Sequence, residues 1–328
     1  MKIGKLSEPV LKRTVIKEIK YKTKDVKQGA AVGNDASVFA SCGRDMAVSM
    51  ASYAGDIKMS AVRAFGGAVN SLSAKGAKPV GVMVSILMPE QVKEIELRNA
   101  VAKLNSLGEM IKVQIAGGHT ETAGNINNTV VTVNAFGYMY EKIEVKDKAS
   151  DNIRGMDIVM AGETGLEGTS VLALKSEEEL KARFSGGYID RAKDFLREIF
   201  TVNEAAVAVR HGATAMHDTS KSGVFGALWE LGEYLKCGMN IDLKSIPIRQ
   251  ETVEICEYFN MNPYFIPSLG GLIIVTKNGE ALVHEIRKSG KRAEIIGYTT
   301  GGHDKAIINN GEKRFLEPHR AGNPEYGI

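Results

Sequence analysis

The sequence predicts a mixed α/β protein with two domains, and three observations lead to this expectation. With 328 residues, the chain is longer than one ordinary hydrophobic core requires. Segments whose apolar residues recur at helical spacing alternate with runs rich in β-branched residues over the whole length. A polar stretch at 141–156 separates the two halves. We therefore expect an N-terminal domain at 1–145 and a C-terminal domain at 146–328.

Charge and cysteine content argue against several classes of protein. The 42 basic and 39 acidic residues leave a net charge of +3, which creates no field strong enough to gather nucleic acid or an anionic membrane. The three cysteines are scattered and form no C-x-x-C pair, which favours a reducing compartment and argues against structural zinc. No stretch approaches 18 uncharged apolar residues, so we expect a cytoplasmic protein without a membrane or nucleic-acid partner.

The first half is predicted to contain two helices among several strands. Apolar residues in 56–75 recur at helical spacing, and Gly76 and Pro79 end this run. The segment 80–89 is rich in β-branched residues, as expected for a buried strand. The remaining expected elements are two short strands within 38–50, an amphipathic helix at 90–111, and strands at 112–116 and 128–140.

The second half is predicted to continue this alternation around turns rich in glycine and polar residues. A strand at 157–163 leads through a Gly-rich turn into a helix, and two more helices occupy about 187–212. The polar turn at 216–222 feeds a further helix, for which Asp218 or Thr219 is the expected N-cap. The remaining expected elements are strands at 240–243, 269–277 and 293–300, helices at 249–260 and 279–289, and a hairpin around 301–304.

Standard nucleotide and hydrolase motifs are absent from the sequence. It contains no G-x-x-x-x-G-K-[ST], no G-x-G-x-x-G after a strand, no G-x-S-x-G and no H-E-x-x-H. Four glycine-containing turns remain, each next to a predicted strand and each carrying polar or acidic residues. Helix capping explains one polar residue in such a turn, but the recurrence of these residues favours one shared ligand site.

The first two turns offer oxygen ligands and free backbone N–H groups. In GNDASV (33–38), Asn34 and Asp35 can reach a hard cation or a phosphate-bound magnesium ion, or can form an Asx turn. In GGHTE (117–121), two glycines allow close approach to a ligand, and the next three residues add a donor, a hydroxyl and a carboxylate. The alternative for this second turn is a strand-to-strand loop with a hydrogen-bonded histidine.

The other two turns each lead into a helix. GETGLEGTS (162–170) exposes N–H groups at a helix start that suit an anion, and a plain capped helix is an equal alternative. MHDTSKSG (216–223) places Asp218, Thr219 and Ser220 at the next helix start, where capping accounts for one of them.

Taken together, the four turns resemble a family that includes aminoimidazole ribonucleotide (AIR) synthase, the hydrogenase maturation protein HypE, thiamine-monophosphate kinase and selenophosphate synthetase. The resemblance is strongest to the HypE-like, AIR synthase related branch. The motifs that carry it span nearly the whole chain and are IGKLSEPVL, GNDASV, NSLSAKGAKP, GGHTE, EGTSVLA and AMHDTSKSG.

This resemblance implies a two-domain PurM-like fold, in which the N-terminal mixed sheets of two subunits pair into a shared β-barrel and the C-terminal domain is an α/β sandwich. It implies ATP with Mg²⁺ in a cleft made by the glycine turns, a homodimer, and a maturation protein as a further partner. The implied nucleotide-binding residues are Asn34, Asp35, Asn70, Ser71, Gly117, Gly118, His119, Thr120, Gly168, Thr169 and Thr219. The implied metal ligands are Asp35, Glu121 and Asp218, of which Glu121 and Asp218 are also the expected catalytic residues.

The chain departs from the family pattern at positions that bear charge. Asn34 and Ser71 stand where the family has acids, and Lys221 and Ser222 replace a neutral or acidic residue and a glycine. Such acids hold the magnesium that neutralises polyphosphate charge. No cysteine follows Cys256, so the carbamoyl transfer that HypE performs with a C-terminal cysteine is not expected. We expect ATP-dependent phosphoryl transfer to, or dehydration of, a small substrate; the alternative is a non-catalytic HypE-like dimer that binds nucleotide or a partner protein.

Overall fold

The computed structural model describes residues 8–19, 24–34, 36–41, 43–140 and 153–318. Among these, 8–19, 30–34 and 153–318 form one compact unit, and the remaining described residues form a second. The first helix, α1 (Glu8–Thr14), belongs to the former unit. The predicted domain boundary after residue 145 lies outside the described residues, so it stays a prediction.

One unit is a six-stranded sheet with two long helices. Its strands are β1 (Val26–Gln28), β2 (Ser37–Phe39), β3 (Met46–Gly55), β4 (Ala77–Met88), β5 (Gln114–Thr122) and β6 (Thr129–Met139). Its helices are α2 (Ile57–Ala74) and α3 (Glu94–Ile111). Asp56 caps α2, because its carboxylate accepts a hydrogen bond from the Met59 backbone N at 2.9 Å. Both helices expected from the apolar spacing are confirmed.

The strand order of this sheet is β1-β2-β3-β6-β4-β5. The pairs are antiparallel except for β4 and β5, which run parallel. Parallel neighbours need a crossover connection, and α3 supplies it between these two strands. The mixed sheet expected for the N-terminal half is confirmed.

The two faces of the six-stranded sheet differ in what covers them. Helix α2 packs on one face, where Ser49 Oγ donates to the Ala68 carbonyl oxygen at 2.6 Å. Side chains alternate between faces along each strand, and the register of Met50, Asn134 and Met83 places these three together on the other face. Met50 is 66% exposed there. We call this the open face; its apolar residues are Met46, Val48, Met50, Met83, Phe136 and Tyr138.

The GGHTE segment (117–121) is part of strand β5, so the expected loop is wrong. An ideal Cβ on Gly118 would lie 1.8 Å from the Val84 carbonyl oxygen of β4. On Gly117 the nearest atom would be the flexible Met83 Cε, at 3.3 Å. Gly118 is therefore required because strands β4 and β5 approach closely at this position. In the sequence alone, a glycine needed for close strand packing cannot be told from a glycine needed for a ligand loop.

The other unit is built on a seven-stranded sheet flanked by helices. Its strands are β7 (Asp157–Ala161), β8 (Ala215–Asp218), β9 (Gly238–Asp242), β10 (Leu272–Thr276), β11 (Ala293–Thr300), β12 (Lys305–Asn309) and β13 (Glu312–Phe315). Besides α1, its helices are α4 (Leu166–Lys175), α5 (Glu177–Leu180), α6 (Gly186–Asp194), α7 (Val202–Arg210), α8 (Gly223–Leu235), α9 (Gln250–Tyr258) and α10 (Gly279–Lys288). Short 3₁₀ turns lie at Ile16–Glu18, Phe195–Arg197 and Leu243–Ser245. Within the described ranges, no helix combines the length and the apolar character needed to cross a membrane.

The strand order of this second sheet is β13-β12-β9-β11-β7-β10-β8, with β9 and β12 as its parallel pair. Its core lies between the sheet and α8, where fully buried Met160, Ile273 and Leu228 belong to one apolar cluster. Burial of such side chains stabilises the fold by about 1.5–3 kcal/mol each. The α/β fold class expected for both halves is confirmed.

Trp229 of α8 joins the N-terminal helix to this unit. Its Nε1 donates to Glu8 Oε2 at 3.2 Å. The Lys305 ammonium lies 4.5 Å from the centre of the indole ring and 2.8 Å from Glu233 Oε1. Lys305 is 2% exposed, so its buried charge needs compensation, and the indole ring and the Glu233 carboxylate provide it.

Two local predictions are wrong. Asp218 or Thr219 was expected to cap α8, but the N-cap is Ser222. Asp218 instead ends strand β8, and the polar residues of this segment concealed that strand in the sequence. The segment 301–304 does not join a hairpin, because β11 pairs with β7 and β9 whereas β12 pairs with β9 and β13.

Gly118→Ala tests the packing account of β5. It should destabilise the six-stranded unit by about 3 kcal/mol, since the added methyl group meets backbone that cannot rotate away. Gly117→Ala is the matched control and should cost less than about 1 kcal/mol, because Met83 can move. Urea unfolding followed by circular dichroism measures both. Equal midpoints for the two variants would show that close strand approach is not what requires Gly118.

Candidate functional site

Three connections of the seven-stranded sheet meet at one edge. Strand β10 lies between β7 and β8 and is antiparallel to both, and its first residue, Leu272, is opposite Ala161 on one side and Asp218 on the other. Strands β7 and β8 therefore run in the same direction and end at the same edge. The turns that follow them begin α4 and α8, and the loop 266–271 enters β10 there. We call this the site edge.

Ser268 links the three connections of the site edge. Its Oγ accepts a hydrogen bond from the Gly165 backbone N at 2.8 Å. Its backbone N donates to the Ser220 carbonyl oxygen at 2.8 Å, and its own carbonyl oxygen accepts from Thr219 Oγ1 at 2.6 Å. The structure thus brings together the third and fourth glycine turns, which lie far apart in the sequence.

Gly168 and Thr169 lie in the first turns of α4. The Gly168 backbone N donates to the Pro267 carbonyl oxygen at 2.8 Å. Thr169 Oγ1 donates to the Gly165 carbonyl oxygen at 2.7 Å and lies 3.0 Å from Thr252 Oγ1. These contacts give both residues partners within the fold, although α4 begins at Gly165 without a side-chain cap, and their role in nucleotide binding stays a prediction.

The start of α8 holds buried polar groups that internal hydrogen bonds do not fully use. Asp218 Oδ1 accepts from the Ser220 backbone N at 2.9 Å. The hydroxyls of Ser220 and Ser222, on residues 6% and 5% exposed, have no hydrogen-bond partner among the described residues. The same holds for Thr164 Oγ1 at the start of α4, on a residue 0% exposed. Buried hydroxyls without partners are costly, so each indicates a place for an internal water or for a polar ligand atom.

A charged cluster holds the turn before α4. Glu163, 7% exposed, accepts a hydrogen bond from Arg249 Nε at 2.5 Å, and its other oxygen lies 3.4 Å from Arg292 Nη1. Arg249 also lies 2.7 Å from Glu198 Oε2. Burial lowers the pKa of the neighbouring Lys291, against the raising effect of three nearby glutamate carboxylates. These ion pairs tie the turn to α9 and to the start of β11.

The GNDASV turn begins in the same unit as the site edge. Gly33 has φ +69°, and an ideal Cβ on it would lie 2.3 Å from the Glu230 carbonyl oxygen of α8. Both the conformation and the close approach require glycine. The Asn34 backbone N donates to the Ala31 carbonyl oxygen at 3.3 Å. Asp35 lies outside the described residues, so its expected metal and nucleotide contacts stay predictions.

The GGHTE residues divide between the two faces of β5. His119 and Glu121 lie on the open face, in register with the outward residues of β4. His119 Nε2 is 3.0 Å from Glu121 Oε2, and the two side chains are 65% and 57% exposed. Gly118 and Thr120 point to the face that the helices cover. The structure therefore brings His119 and Glu121 together as one accessible pair.

Asn70 and Ser71 lie on α2, on the side of the sheet opposite His119 and Glu121. Asn70 is 0% exposed, whereas Ser71 is partly exposed. The sheet therefore lies between Asn70 and Ser71 on one face and His119 and Glu121 on the other. These two predicted pairs do not share one face of the sheet.

The carboxylates suit a magnesium ion that is shared with phosphate. In the part of the chain that the structure describes, no three His, Cys, Asp or Glu side chains converge as ligands. Magnesium usually takes one or two carboxylates and completes its octahedron with waters and phosphate oxygens. Asp218, beside the buried hydroxyls before α8, would supply one such carboxylate. This donor set fits a phosphate-bound Mg²⁺ and does not fit a metal site made of protein ligands alone.

Reasoning from the sequence missed Ser268, Glu163 and Arg249. The sequence feature that could have pointed to the loop of Ser268 is the pair of glycines that follows Leu269. The structure shows why this loop needs glycine: an ideal Cβ on Gly271 would lie 2.3 Å from Thr219 Oγ1. No comparable signal marks the ion pair of Glu163 and Arg249, because its members are 86 residues apart.

Comparison with protein families confirms the resemblance drawn from the motifs. The model for "AIR synthase related protein, N-terminal domain" matches residues 33–139, and the model for the C-terminal domain matches residues 154–309. The two matches cover β2 to β6 of the six-stranded sheet and β7 to β12 of the seven-stranded sheet.

Individual relatives and solved structures agree with the family models. A Methanocaldococcus jannaschii protein named for hydrogenase expression/formation is 26% identical over 82% of this chain and 78% of its own length. The carbamoyl dehydratase HypE of Rhodobacter capsulatus is 25% identical over 72% of this chain and 68% of its own. The HypE–HypF complex structure has a TM-score of 0.73 at 18% identity, covering 94% and 99% of the two chains. A HypE structure in complex with ATP has a TM-score of 0.68 at 17% identity, covering 98% and 97%.

Ser268→Ala tests whether Ser268 holds the site edge together. The substitution leaves the buried Gly165 N–H without its acceptor, which should cost about 2 kcal/mol of unfolding free energy. Ser289→Ala is the control, since Ser289 is exposed and its hydroxyl donates to the Ile286 carbonyl oxygen; it should change stability by less than about 0.5 kcal/mol. Urea unfolding compares the two, and a Ser268→Ala variant as stable as the control would contradict the assignment.

Proposed function

The chain belongs to the AIR synthase related protein family, and from this premise we propose that it binds ATP and uses it to phosphorylate, or to dehydrate through phosphorylation, a small second substrate. The observation that carries this proposal is the set of buried hydroxyls of Thr164, Ser220 and Ser222 where α4 and α8 begin. Helix starts also direct N–H groups and partial positive charge toward a phosphate. The carbamoyl dehydratase relative and the ATP-bound HypE structure support the same class of reaction.

The proposed roles are those that the family resemblance implies. Asp218 is a ligand of phosphate-bound Mg²⁺ and Thr219 contacts the nucleotide, both at the start of α8. Asp35 is a second metal ligand. Glu121, with His119 beside it, is a metal ligand or the base that removes a proton from the second substrate. The other proposed nucleotide contacts are Asn34, Asn70, Ser71, Gly117, Gly118, Thr120, Gly168 and Thr169.

Lys221 compensates in part for the acids that this chain lacks. It is exposed between the buried Ser220 and Ser222 at the N-terminal end of α8. An ammonium group there adds positive charge next to the proposed phosphate position, where family members rely on magnesium held by carboxylates. We expect nucleotide binding with fewer magnesium ions than the family pattern implies.

The open face supports a homodimer. Met50, Met83 and Tyr138 on this face are 66%, 43% and 43% exposed, and contiguous exposed apolar surface marks an association site. A second copy of the sheet has the matching two-fold related surface. Such pairing would also bring the second copy over His119 and Glu121, because they lie on the same face. The HypE–HypF complex supports a maturation protein as a further partner.

Calorimetry with ATP and Mg²⁺ tests the proposed activity. The unmodified chain should bind ATP, and Asp218→Asn should weaken its affinity about tenfold in Mg²⁺, because the variant loses the charge but keeps an oxygen for the Ser220 N–H. Asp190→Asn is the control, since Asp190 is on the surface of α6 with a side chain 73% exposed.

Three results would change this proposal. No heat of binding at millimolar ATP would remove the proposed function. An Asp218→Asn affinity equal to that of the control would remove the metal role of Asp218. ATP binding without phosphate release in the presence of candidate substrates would favour the non-catalytic dimer that Asn34 and Ser71 suggest.

Met50→Asp tests the dimer. A charge in the middle of the open face should convert a dimer to monomers, because an unpaired buried charge is costly. Light scattering coupled to size-exclusion chromatography measures the mass. Ile95→Asp, at a residue 53% exposed on α3, should leave the mass unchanged. A dimeric Met50→Asp variant would place the interface elsewhere.

A further inference from the structure

A buried histidine and a buried glutamate stand behind the start of α8. His217 is on β8 directly before Asp218, and Glu230 is two turns into α8; the residues are 4% and 9% exposed. His217 Nδ1 lies 2.7 Å from the Asp218 carbonyl oxygen. His217 Nε2 lies 3.3 Å from Glu230 Oε2.

The chemistry of these contacts sets the state of the imidazole. A carbonyl oxygen can only accept, so Nδ1 carries hydrogen and donates to Asp218. The other nitrogen, Nε2, faces the Glu230 carboxylate at an ion-pair distance, although these two atoms do not meet hydrogen-bond geometry. His217 is therefore held from both sides, by the main chain of Asp218 and by the side chain of Glu230.

Stability alone does not account for this pair. It borders an apolar cluster that includes Val224, Leu228 and Ile273, where buried ionisable groups cost more than apolar residues of similar volume. The presence of such a buried pair is explained if the pair holds the surrounding chain in one geometry.

The chain around His217 carries a proposed metal ligand. Asp218 ends a strand of four residues at the border of the sheet, and beyond it Thr219 and Ser220 are held by the loop of Ser268. The hydrogen bond from His217 fixes the Asp218 carbonyl group, and with it the orientation of that residue at the strand end.

We infer that His217 and Glu230 are positioning residues for Asp218, with Glu230 orienting the imidazole and the imidazole orienting the Asp218 main chain. This inference rests on the proposed function, in which Asp218 binds phosphate-bound magnesium. Neither residue contacts the nucleotide.

Conservative variants separate the two contacts. His217→Asn keeps a nitrogen near the position of Nδ1, whereas His217→Gln keeps one near Nε2 and loses the bond to Asp218. Glu230→Gln keeps the shape and removes the charge. Glu233→Gln is the matched control on the same helix, since Glu233 pairs with Lys305 and not with His217.

Calorimetry with ATP and Mg²⁺ gives the first readout. His217→Gln and Glu230→Gln should each weaken affinity about five- to tenfold, and His217→Asn should restore part of the loss. Glu233→Gln should lower the unfolding temperature without changing affinity. A purely structural pair would lower stability in the three variants of His217 and Glu230 and leave their affinity equal to that of the unmodified chain, which would overturn the inference.

Amide hydrogen exchange gives a second readout that needs no nucleotide. Exchange at 218–222 should become faster in His217→Gln and Glu230→Gln but not in Glu233→Gln, while α3 stays unchanged in all variants. If the unmodified chain binds no ATP, the proposed function fails and this exchange pattern still decides whether the pair positions the turn. If His217→Gln does not fold, Glu230→Gln decides; unchanged exchange there would overturn the inference.

Discussion

The position of β10 between β7 and β8 is the constraint on which the candidate site depends. Because β10 is antiparallel to both neighbours, those two strands run the same way and end at one edge. Each continues into a helix, so two helix starts come to that edge. The loop entering β10 lies between them, and Ser268 bonds to both turns. Strand order therefore creates the site before any ligand is considered.

The two helix starts at this edge are not equivalent. At α4, an ideal Cβ on Gly168 would lie 2.9 Å from Ile266, and the Gly168 N–H donates to the Pro267 carbonyl oxygen of the neighbouring loop. At α8, the hydroxyls of Ser220 and Ser222 are buried without partners, and Asp218 stands beside them. Close packing is found at both starts, because an ideal Cβ on Gly223 of α8 would lie 2.5 Å from the Tyr264 carbonyl oxygen. Buried hydroxyls without partners also lie at both, two at α8 and that of Thr164 at α4, so the second start is distinguished by the larger number of these polar atoms and by Asp218 beside them.

The six-stranded sheet shows how strand alternation assigns roles within one motif. Gly118 is required where β5 approaches β4, whereas His119 and Glu121 point to the open face. The exposed apolar residues around them need a covering surface. The proposed association of two copies and the proposed use of this polar pair are therefore linked by geometry, because the same face would serve both.

The sequence by itself determined the fold class, most helices and strands, and the family, because hydrophobic periodicity and short motifs are local properties of the chain. It also predicted that Asp218 and the GGHTE segment are parts of a site, and this stays a prediction. Only the tertiary structure decided that GGHTE is an edge strand, that Ser268 joins two distant turns, and that His217 meets Glu230. These features depend on residues brought together by strand order and helix packing, and such contacts between distant positions leave no pattern in a single sequence.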